Sequence, residues 1–378
     1  MHTTFYFIVV TLVVVELFYA AYLLIQIVCW LLPNKPGHSK NECLPYVSIL
    51  VPTRNEERNI ATCLQSIFAQ DYPPHRLEII VCNDHSEDNT EIEALKAGSN
   101  SPMSFKYIRV TDIPSHKKKA IETGIKASSG ELIAVTDADC VAEKTWISAL
   151  VSIYRERNAT MLCGPVAITS GKKFVEKFQE LEMCGLSLLT GAGTRGGIPL
   201  LCNAANLAYT RKAFDEVGGF KDIENTPSGD DTLLMFKLHK KFPGTIHYVK
   251  SSNAMVYTPA QASLKDFFNQ RIRWASKGLH SGYLLNSIVS LLIFLANFLP
   301  LICIIILFIY PAFIKIVLTG LFLKLTIDFL LLSFATKFFK KSNLLLYYPI
   351  ASVMVMLYVS LVAIMTNFYK YTWKGRTY

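Results

Sequence analysis

Two hydrophobic textures alternate along the chain. Unbroken apolar runs occupy Phe5 to Leu32, Leu284 to Ile309, Pro311 to Phe334 and Leu344 to Thr366, each long enough for a helix to cross the ~30 Å hydrocarbon layer of a bilayer. From Tyr46 to Thr258 the runs shorten, become β-branched and alternate with amphipathic segments. That pattern predicts an α/β domain with a largely parallel sheet. Val47 to Val51, Glu78 to Cys82, Phe105 to Val110 and Leu132 to Thr136 read as its strands, each ending in polar residues. Ligands of open α/β sheets bind at the carboxyl ends of strands, so these polar ends mark the expected site.

Two more helices are predicted where the textures meet. Phe174 to Leu189 keeps apolar residues at helical spacing beside Lys172, Lys173, Glu176, Lys177 and Glu182, which suits a helix lying on a membrane surface or one facing a core. Leu264 to Tyr283 is amphipathic and runs directly into the next apolar segment, which predicts an interfacial helix. The expected organisation is an anchor over 1–33, an α/β domain over 44–262, an interfacial helix over 263–283, about three spans over 284–368 and a basic tail over 369–378.

Composition sharpens this picture. With 51% apolar residues in 378, the chain has room for one large α/β domain and several spans, and it is not a soluble protein. The first apolar run is too long for a signal-peptide core and has no basic residue ahead of it. Lys35, Lys40, Arg54 and Arg58 follow it, so the positive-inside rule places the α/β domain in the cytoplasm. Lys337, Lys340 and Lys341 make a later connection cytoplasmic as well, whereas three crossings counted from a cytoplasmic α/β domain leave outside a tail that carries Lys370, Lys374 and Arg376. These two charge signals conflict. The net charge of +9 suits both an anionic membrane and a nucleotide diphosphate. Nine cysteines without CxxC or paired His spacing predict reduced, mostly buried thiols.

Candidate chemistry follows the strands in order. The first ends in Val51-Pro52-Thr53-Arg54-Asn55-Glu56, and the second runs into Asn83-Asp84-His85-Ser86-Glu87-Asp88. His116-Lys117-Lys118-Lys119 opens an amphipathic helix, and Asp137-Ala138-Asp139 closes the strand at Leu132. Two carboxylates one residue apart at a strand end point to the same side, a donor pair that suits hard Mg²⁺ or Mn²⁺ together with phosphate oxygens. Next come Leu201-Cys202-Asn203-Ala204-Ala205-Asn206, Gly218-Gly219-Phe220 and Ser228-Gly229-Asp230-Asp231. Asp230 either repels the adjacent Asp231, which raises one pKa toward a useful range, or caps the helix starting at Thr232. In Gln270-Arg271-Ile272-Arg273-Trp274, Gln270 and Arg273 share a helix face beside Trp274. There the Arg suits a phosphate and the indole suits a sugar.

This set resembles the membrane-embedded members of glycosyltransferase family 2, which include cellulose, chitin and hyaluronan synthases and ceramide glucosyltransferase. The resemblance covers Tyr46 to Trp274. It implies that 44–262 is a catalytic domain with the GT-A nucleotide-diphospho-sugar transferase fold. Asp84 would then bind the nucleotide, with Thr53, Asn55, Glu56 and Asp88 beside it. Lys119, with its two lysine neighbours as alternates, would lie near the diphosphate, together with Asp137. Asp137 and Asp139 would bind metal, and Asp231 would be the base with Asp230 as its partner. Gln270, Arg273, Trp274, Asn203 and Asn206 would line the diphosphate and acceptor side.

The activity so implied is metal-dependent, inverting transfer from a nucleotide sugar, with UDP expected, to a hydroxyl of a lipid or lipid-linked saccharide. A processive polysaccharide synthase is the alternative within the family, and a nucleotide-sensing transporter or scaffold is the alternative outside it. Membrane lipids are expected partners, nucleic acid is not, and the oligomeric state stays open. Within the apolar runs, Glu16, Lys324 and Asp328 predict that the first and third pack together with Lys324 shared between the two carboxylates; the alternative is a local Lys324 and Asp328 pair with Glu16 near a water-accessible rim.

Overall fold

The computed structural model describes residues 2–33, 43–112, 116–169, 171–224, 229–279, 283–366, 368–369, 372–374 and 376–377. Lys35, Lys40, Ser228 and Lys370 lie outside them. The chain divides into two compact units, one of 32–169 and 186–260, the other of 1–31, 170–185 and 261–378.

The first unit is built on ten strands: β1 (Val47–Thr53), β2 (Leu77–Asn83), β3 (Ser104–Arg109), β4 (Leu132–Val135), β5 (Val141–Ala142), β6 (Met161–Cys163), β7 (Val166–Ile168), β8 (Leu207–Thr210), β9 (Ile246–Tyr248) and β10 (Val256–Thr258). Seven form one sheet in the order β3-β2-β1-β4-β8-β6-β9, and β5, β10 and β7 form a small second sheet. Every pairing in the large sheet is parallel except those of β8 with β4 and β6. Strands β1, β2 and β4 are buried on both faces, which explains their continuous apolar sequence. The helices over them are α2 (Ile60–Phe68), α3 (Thr90–Gly98), α4 (Lys117–Ala127) and α5 (Trp146–Arg157), with α7 (Arg211–Glu216) and α8 (Thr232–Lys241) later in the chain.

The second unit holds α1 (His2–Leu31), α9 (Leu264–Leu279), α10 (Leu284–Ile309), α11 (Ile314–Phe338), α12 (Tyr348–Met365) and the first part of α6 (Phe174–Arg195). Among the described residues, four segments are long and apolar enough to cross a membrane: Phe5–Leu31, Leu284–Ile309, Pro311–Phe338 and Ser342–Met365. Helix α6 runs one and a half turns past its expected end, and in its first part Phe178 packs on Phe267 and Tyr358 with ring centroids 5.9 Å apart. The core-facing alternative therefore describes this half.

Helices α1 and α11 pack together, as the intramembrane charges predicted. A Cβ at Gly320 would stand 3.0 Å from the Leu12 side chain, and Trp30 meets Phe338 edge-on at 5.1 Å. The sharing of Lys324 takes another form. Its ammonium donates to Asp328 at 3.0 Å and sits 4.6 Å from the centre of the Tyr19 ring, while the Tyr19 hydroxyl donates to Asp328 at 2.7 Å. Glu16 is fully buried, and neither of its carboxylate oxygens has a hydrogen-bond partner among the described residues. Tyr19, one turn further along α1, is the second partner of Asp328 in its place. All nine cysteines are free thiols, six of them buried.

Candidate active site

Strand register brings the first two polar loops together. Thr53 lies opposite Asn83, so the loops after β1 and β2 leave the sheet at the same level. Arg54 straps them: its guanidinium donates to the carbonyls of Asp84 at 2.8 Å and His85 at 2.9 Å, and pairs with Glu87 at 3.1 Å. Asn55 adopts φ +52°, its carboxamide oxygen accepts from the Glu87 N–H, and its own N–H donates to Ser86. The Glu56 carboxylate accepts from Asn59 at 2.7 Å. Asp88 accepts from the N–H groups of Glu57 and Thr90 and from the Thr90 hydroxyl. Burial alone would raise its pKa, but these hydrogen bonds outweigh it and hold the carboxylate below its ordinary value.

Asn55, Glu56 and Asp88 thus shape the loops. Thr53 and Asp84 line the buried floor between them. Asp84 lies 3.0 Å from the His85 ring. The Thr53 hydroxyl and His116 Nδ1 are buried without a hydrogen-bond partner among the described residues. Burial, then Lys118, keep His116 below its ordinary pKa against the pull of Asp84, so it presents a neutral imidazole. Nothing in the sequence separated His116 from the lysine run that follows it.

The three lysines at the start of α4 point in three directions, because successive helical residues differ by ~100°. Lys118 is buried and donates to the Ile223 carbonyl at 2.6 Å, and Lys119 faces Glu122 at 3.5 Å. Lys117 reaches the carboxylate cluster, 2.6 Å from Asp137 and 3.3 Å from Asp230. Burial would depress its pKa, but Asp137, then Asp230 and Asp231, hold it well above the ordinary value, so it is an ammonium at neutral pH. Of the three lysines expected near the diphosphate, Lys117 is the one that pairs with Asp137 and Asp230, and Lys119 pairs with Glu122.

Asp137 leaves the end of β4 beside β1, and Thr136 ties that end to the Ala205 carbonyl at 2.8 Å. Donor atoms of Asp137, Asp139 and Cys140 lie within 4.8 Å of one another. The two half-exposed carboxylates fit a hard divalent cation. The buried Cys140 thiol donates weakly to Asp139 at 3.5 Å and belongs to the wall. Lys117 already sets a positive charge against Asp137, as a cation bound there would.

Asp230 and Asp231 are 7% and 5% exposed. Gly229 precedes them at φ +89°, a conformation that favours glycine. Asp231 caps α8, accepting from the Thr232 N–H at 2.6 Å, while Asp230 faces Lys117. The capping role weighed for Asp230 belongs to Asp231. Asn203 accepts from the Ala205 N–H at 3.0 Å and stays partly exposed. Asn206 is fully buried: it accepts from the Trp146 indole at 2.8 Å and donates to the carbonyls of Pro165 and Ala254 at 2.9 and 2.7 Å. Its carboxamide stands behind the site wall, against Gly164, where a Cβ would collide at 2.3 Å.

In the other unit, Gln270, Arg273 and Trp274 lie partly exposed on α9. The motif's other arginine, Arg271, is buried. It forms a forked pair with Glu182 of α6 and is sandwiched 4.4 Å from the ring centres of Phe267 and Trp274. The Tyr358 hydroxyl donates to the same carboxylate, and Arg271 also donates to Gln270. The spacing rule selected Gln270 and Arg273 and gave no sign of this buried pair.

Residues 48–218 match the family model described as Glycosyl transferase family 2. YdaM of Bacillus subtilis, a probable glycosyltransferase, is 28% identical over 241 residues, 61% of this chain and 55% of its own. The beta-monoglucosyldiacylglycerol synthase of Trichormus variabilis is 27% identical over 250 residues, 65% of this chain and 52% of its own. This chain thus spans about half the length of the curated relatives it matches. Among solved structures, the mannosyltransferase PcManGT from Pyrobaculum calidifontis, in complex with GDP-Man and Mn2+, aligns with a TM-score of 0.62 at 17% identity, covering 93% of this chain and 98% of that one. That likeness concerns the fold. Residues 48–218 thus match the glycosyltransferase family 2 model, and among the described residues the same chain has four membrane-length apolar helices.

Proposed function

We propose that the chain is a membrane-bound inverting glycosyltransferase, taking a sugar from a nucleotide sugar, with UDP as the expected carrier, to a hydroxyl of a lipid or lipid-linked saccharide. The observation that carries this reading is the convergence of Asp137, Lys117 and Asp230 at the carboxyl edge of the sheet. In this reading Thr53, Asp84 and His116 receive the nucleoside, whose polar edge satisfies the buried Thr53 hydroxyl and His116 nitrogen. Asp137 and Asp139 would hold Mg²⁺ or Mn²⁺, which when bound would supply positive charge to the departing diphosphate. Lys117 adds a fixed positive charge beside it.

Asp231 takes the acceptor proton as the hydroxyl oxygen bonds to the anomeric carbon and the bond to the diphosphate breaks. Its cap to Thr232 fixes the rotamer, and a carboxylate has a second oxygen for the proton. Two observations support a lipid acceptor: a relative acts in glycolipid synthesis by its name, and α9 leads into a membrane-length helix. The basic residues after α1 support a cytoplasmic active site.

The test is Asp139→Asn in purified full-length protein. Transfer should be abolished and metal-dependent nucleotide binding weakened together. Membranes given a panel of labelled nucleotide sugars, followed by lipid mass spectrometry, identify donor and acceptor. Extension of a water-soluble oligosaccharide by many units without lipid would replace the lipid reading with a polysaccharide synthase.

A further inference from the structure

The helical unit encloses a group of ionisable side chains that sugar transfer does not use. Glu16 lies near the middle of the membrane-length segment of α1, ~16 Å along the helix from Phe5 and ~22 Å from Leu31 at 1.5 Å per residue. It is fully buried, and neither carboxylate oxygen has a hydrogen-bond partner among the described residues. The charged groups acting on it are Lys324 and Asp328 of α11, with Tyr19 beside it on α1. Tyr22 of α1 is within electrostatic reach of Tyr19. Tyr348 of α12 is within reach of Asp328, and its hydroxyl donates to the Leu325 carbonyl at 2.6 Å. Helix α10, which also packs on α1, carries no Asp, Glu, Lys, Arg or His, and its one thiol, Cys303, sits in the apolar cluster with Val9 and Leu12.

These charges do not balance with Glu16 ionised. The Lys324 ammonium is matched by Asp328 at 3.0 Å, and Asp328 also accepts from Tyr19 at 2.7 Å. A second carboxylate would leave one negative charge unpaired inside an apolar helix bundle, where such a charge is among the most costly groups to hold. A metal ion would need several oxygen ligands, and the described cluster of three metal-binding side chains is Asp137, Asp139 and Cys140 in the other unit. A proton needs neither a ligand shell nor space. It removes the charge and leaves a neutral hydroxyl short of one acceptor, a much smaller penalty than an unpaired charge.

We propose that Glu16, Lys324 and Asp328 form a proton-binding site between two membrane-length helices, in which two carboxylates share one ammonium and one proton, the ammonium on Asp328 and the proton on Glu16. The proton belongs to the pair of carboxylates, and Lys324 decides which of them carries it. Its loss to water would leave two carboxylates against one ammonium between α1 and α11. That helix contact is therefore one that a proton holds and alkali weakens, independently of sugar transfer.

The test is infrared difference spectroscopy on full-length protein in neutral detergent near neutral pH, with thermal unfolding measured on the same samples. Wild type minus Glu16→Gln should show one carboxylic-acid carbonyl band. The unfolding midpoint should be unchanged in Glu16→Gln, because the amide reproduces the neutral acid and not a carboxylate. In Asp328→Asn the ammonium has only Glu16 to pair with, so the band should be lost. Should that variant fail to fold, Lys324→Met removes the ammonium instead and should show two acid bands in place of one. No acid band assignable to Glu16, or a marked loss of stability in Glu16→Gln, overturns the proton site. A band that persists in folded Asp328→Asn, or stays single in Lys324→Met, overturns the sharing between the two carboxylates.

Discussion

Asp231 carries two roles in this reading, and substitution can separate them. As the cap of α8 it accepts from the Thr232 N–H at 2.6 Å, and losing such a cap costs ~1 kcal/mol, within a range of about 0.5 to 2. Asparagine caps about as well as aspartate, so Asp231→Asn should leave the unfolding midpoint nearly unchanged, whereas Asp231→Ala should lose the capping energy. As the base, the carboxylate is worth on the order of 10² to 10⁴ in rate, or roughly 3 to 5 kcal/mol of transition-state stabilisation. Both variants should show that loss in kcat. The assay is transfer of labelled sugar to extracted lipid by purified protein, with nucleotide-sugar binding and thermal unfolding measured on the same samples. Binding should persist in Asp231→Asn, because Asp137, Asp139 and Lys117 are untouched. Near-normal turnover in Asp231→Asn would refute the assignment. If Asp230→Asn then lost the 10² to 10⁴, the base would be Asp230, the carboxylate facing Lys117.

Other consequences lie outside the reacting groups. Arg271→Ala leaves Glu182 buried without its forked partner, so detergent-phase unfolding should show a loss of about 3 to 5 kcal/mol, partly restored by Glu182→Leu in the same chain. Glu78 is buried; burial alone would raise its pKa, but hydrogen bonds from Ser48, Lys106 and the Ser129 N–H outweigh it and hold the pKa below the ordinary 4.5. Its contribution is therefore complete above pH 4.5 and is lost as pH falls through the folded value, and Glu78→Gln should flatten the acid limb of a stability-against-pH curve. Leu12→Cys with Gly320→Cys should crosslink α1 to α11 in active protein, given the 3.0 Å approach at Gly320. Absence of the crosslink in folded protein would contradict that packing.

Much of the architecture was legible because its signals are local. A bilayer-length apolar run identifies itself, and strands buried on both faces, such as Val47–Thr53 and Leu77–Asn83, stand out as continuous β-branched sequence. The order of polar strand ends placed Asp84 and Asp137 on one edge, since parallel strands present the same end. Short strands such as β6, β7 and β9 have three residues each, too few to show a period, and they were not anticipated. The antiparallel insertion of β8 depends on pairing with residues far away in sequence.

What the sequence determined by itself was residue chemistry and its order: carboxylates after strands, lysines at a helix start, apolar spans with a few charges. Tertiary structure decided which of those groups face one another. The rotation of α4 sends Lys117 to Asp137 and Asp230 and turns Lys118 and Lys119 elsewhere. The packing of Trp146, Pro165 and Ala254 takes every polar atom of Asn206 into the wall. The parallel register of α1 with α11 gives Asp328 to Tyr19 as well as Lys324, and leaves Glu16 without a hydrogen bond among the described residues. Periodicity fixes the spacing of side chains around an element, but the element's rotation and depth are set by the summed contacts of its neighbours, which no local stretch of sequence contains.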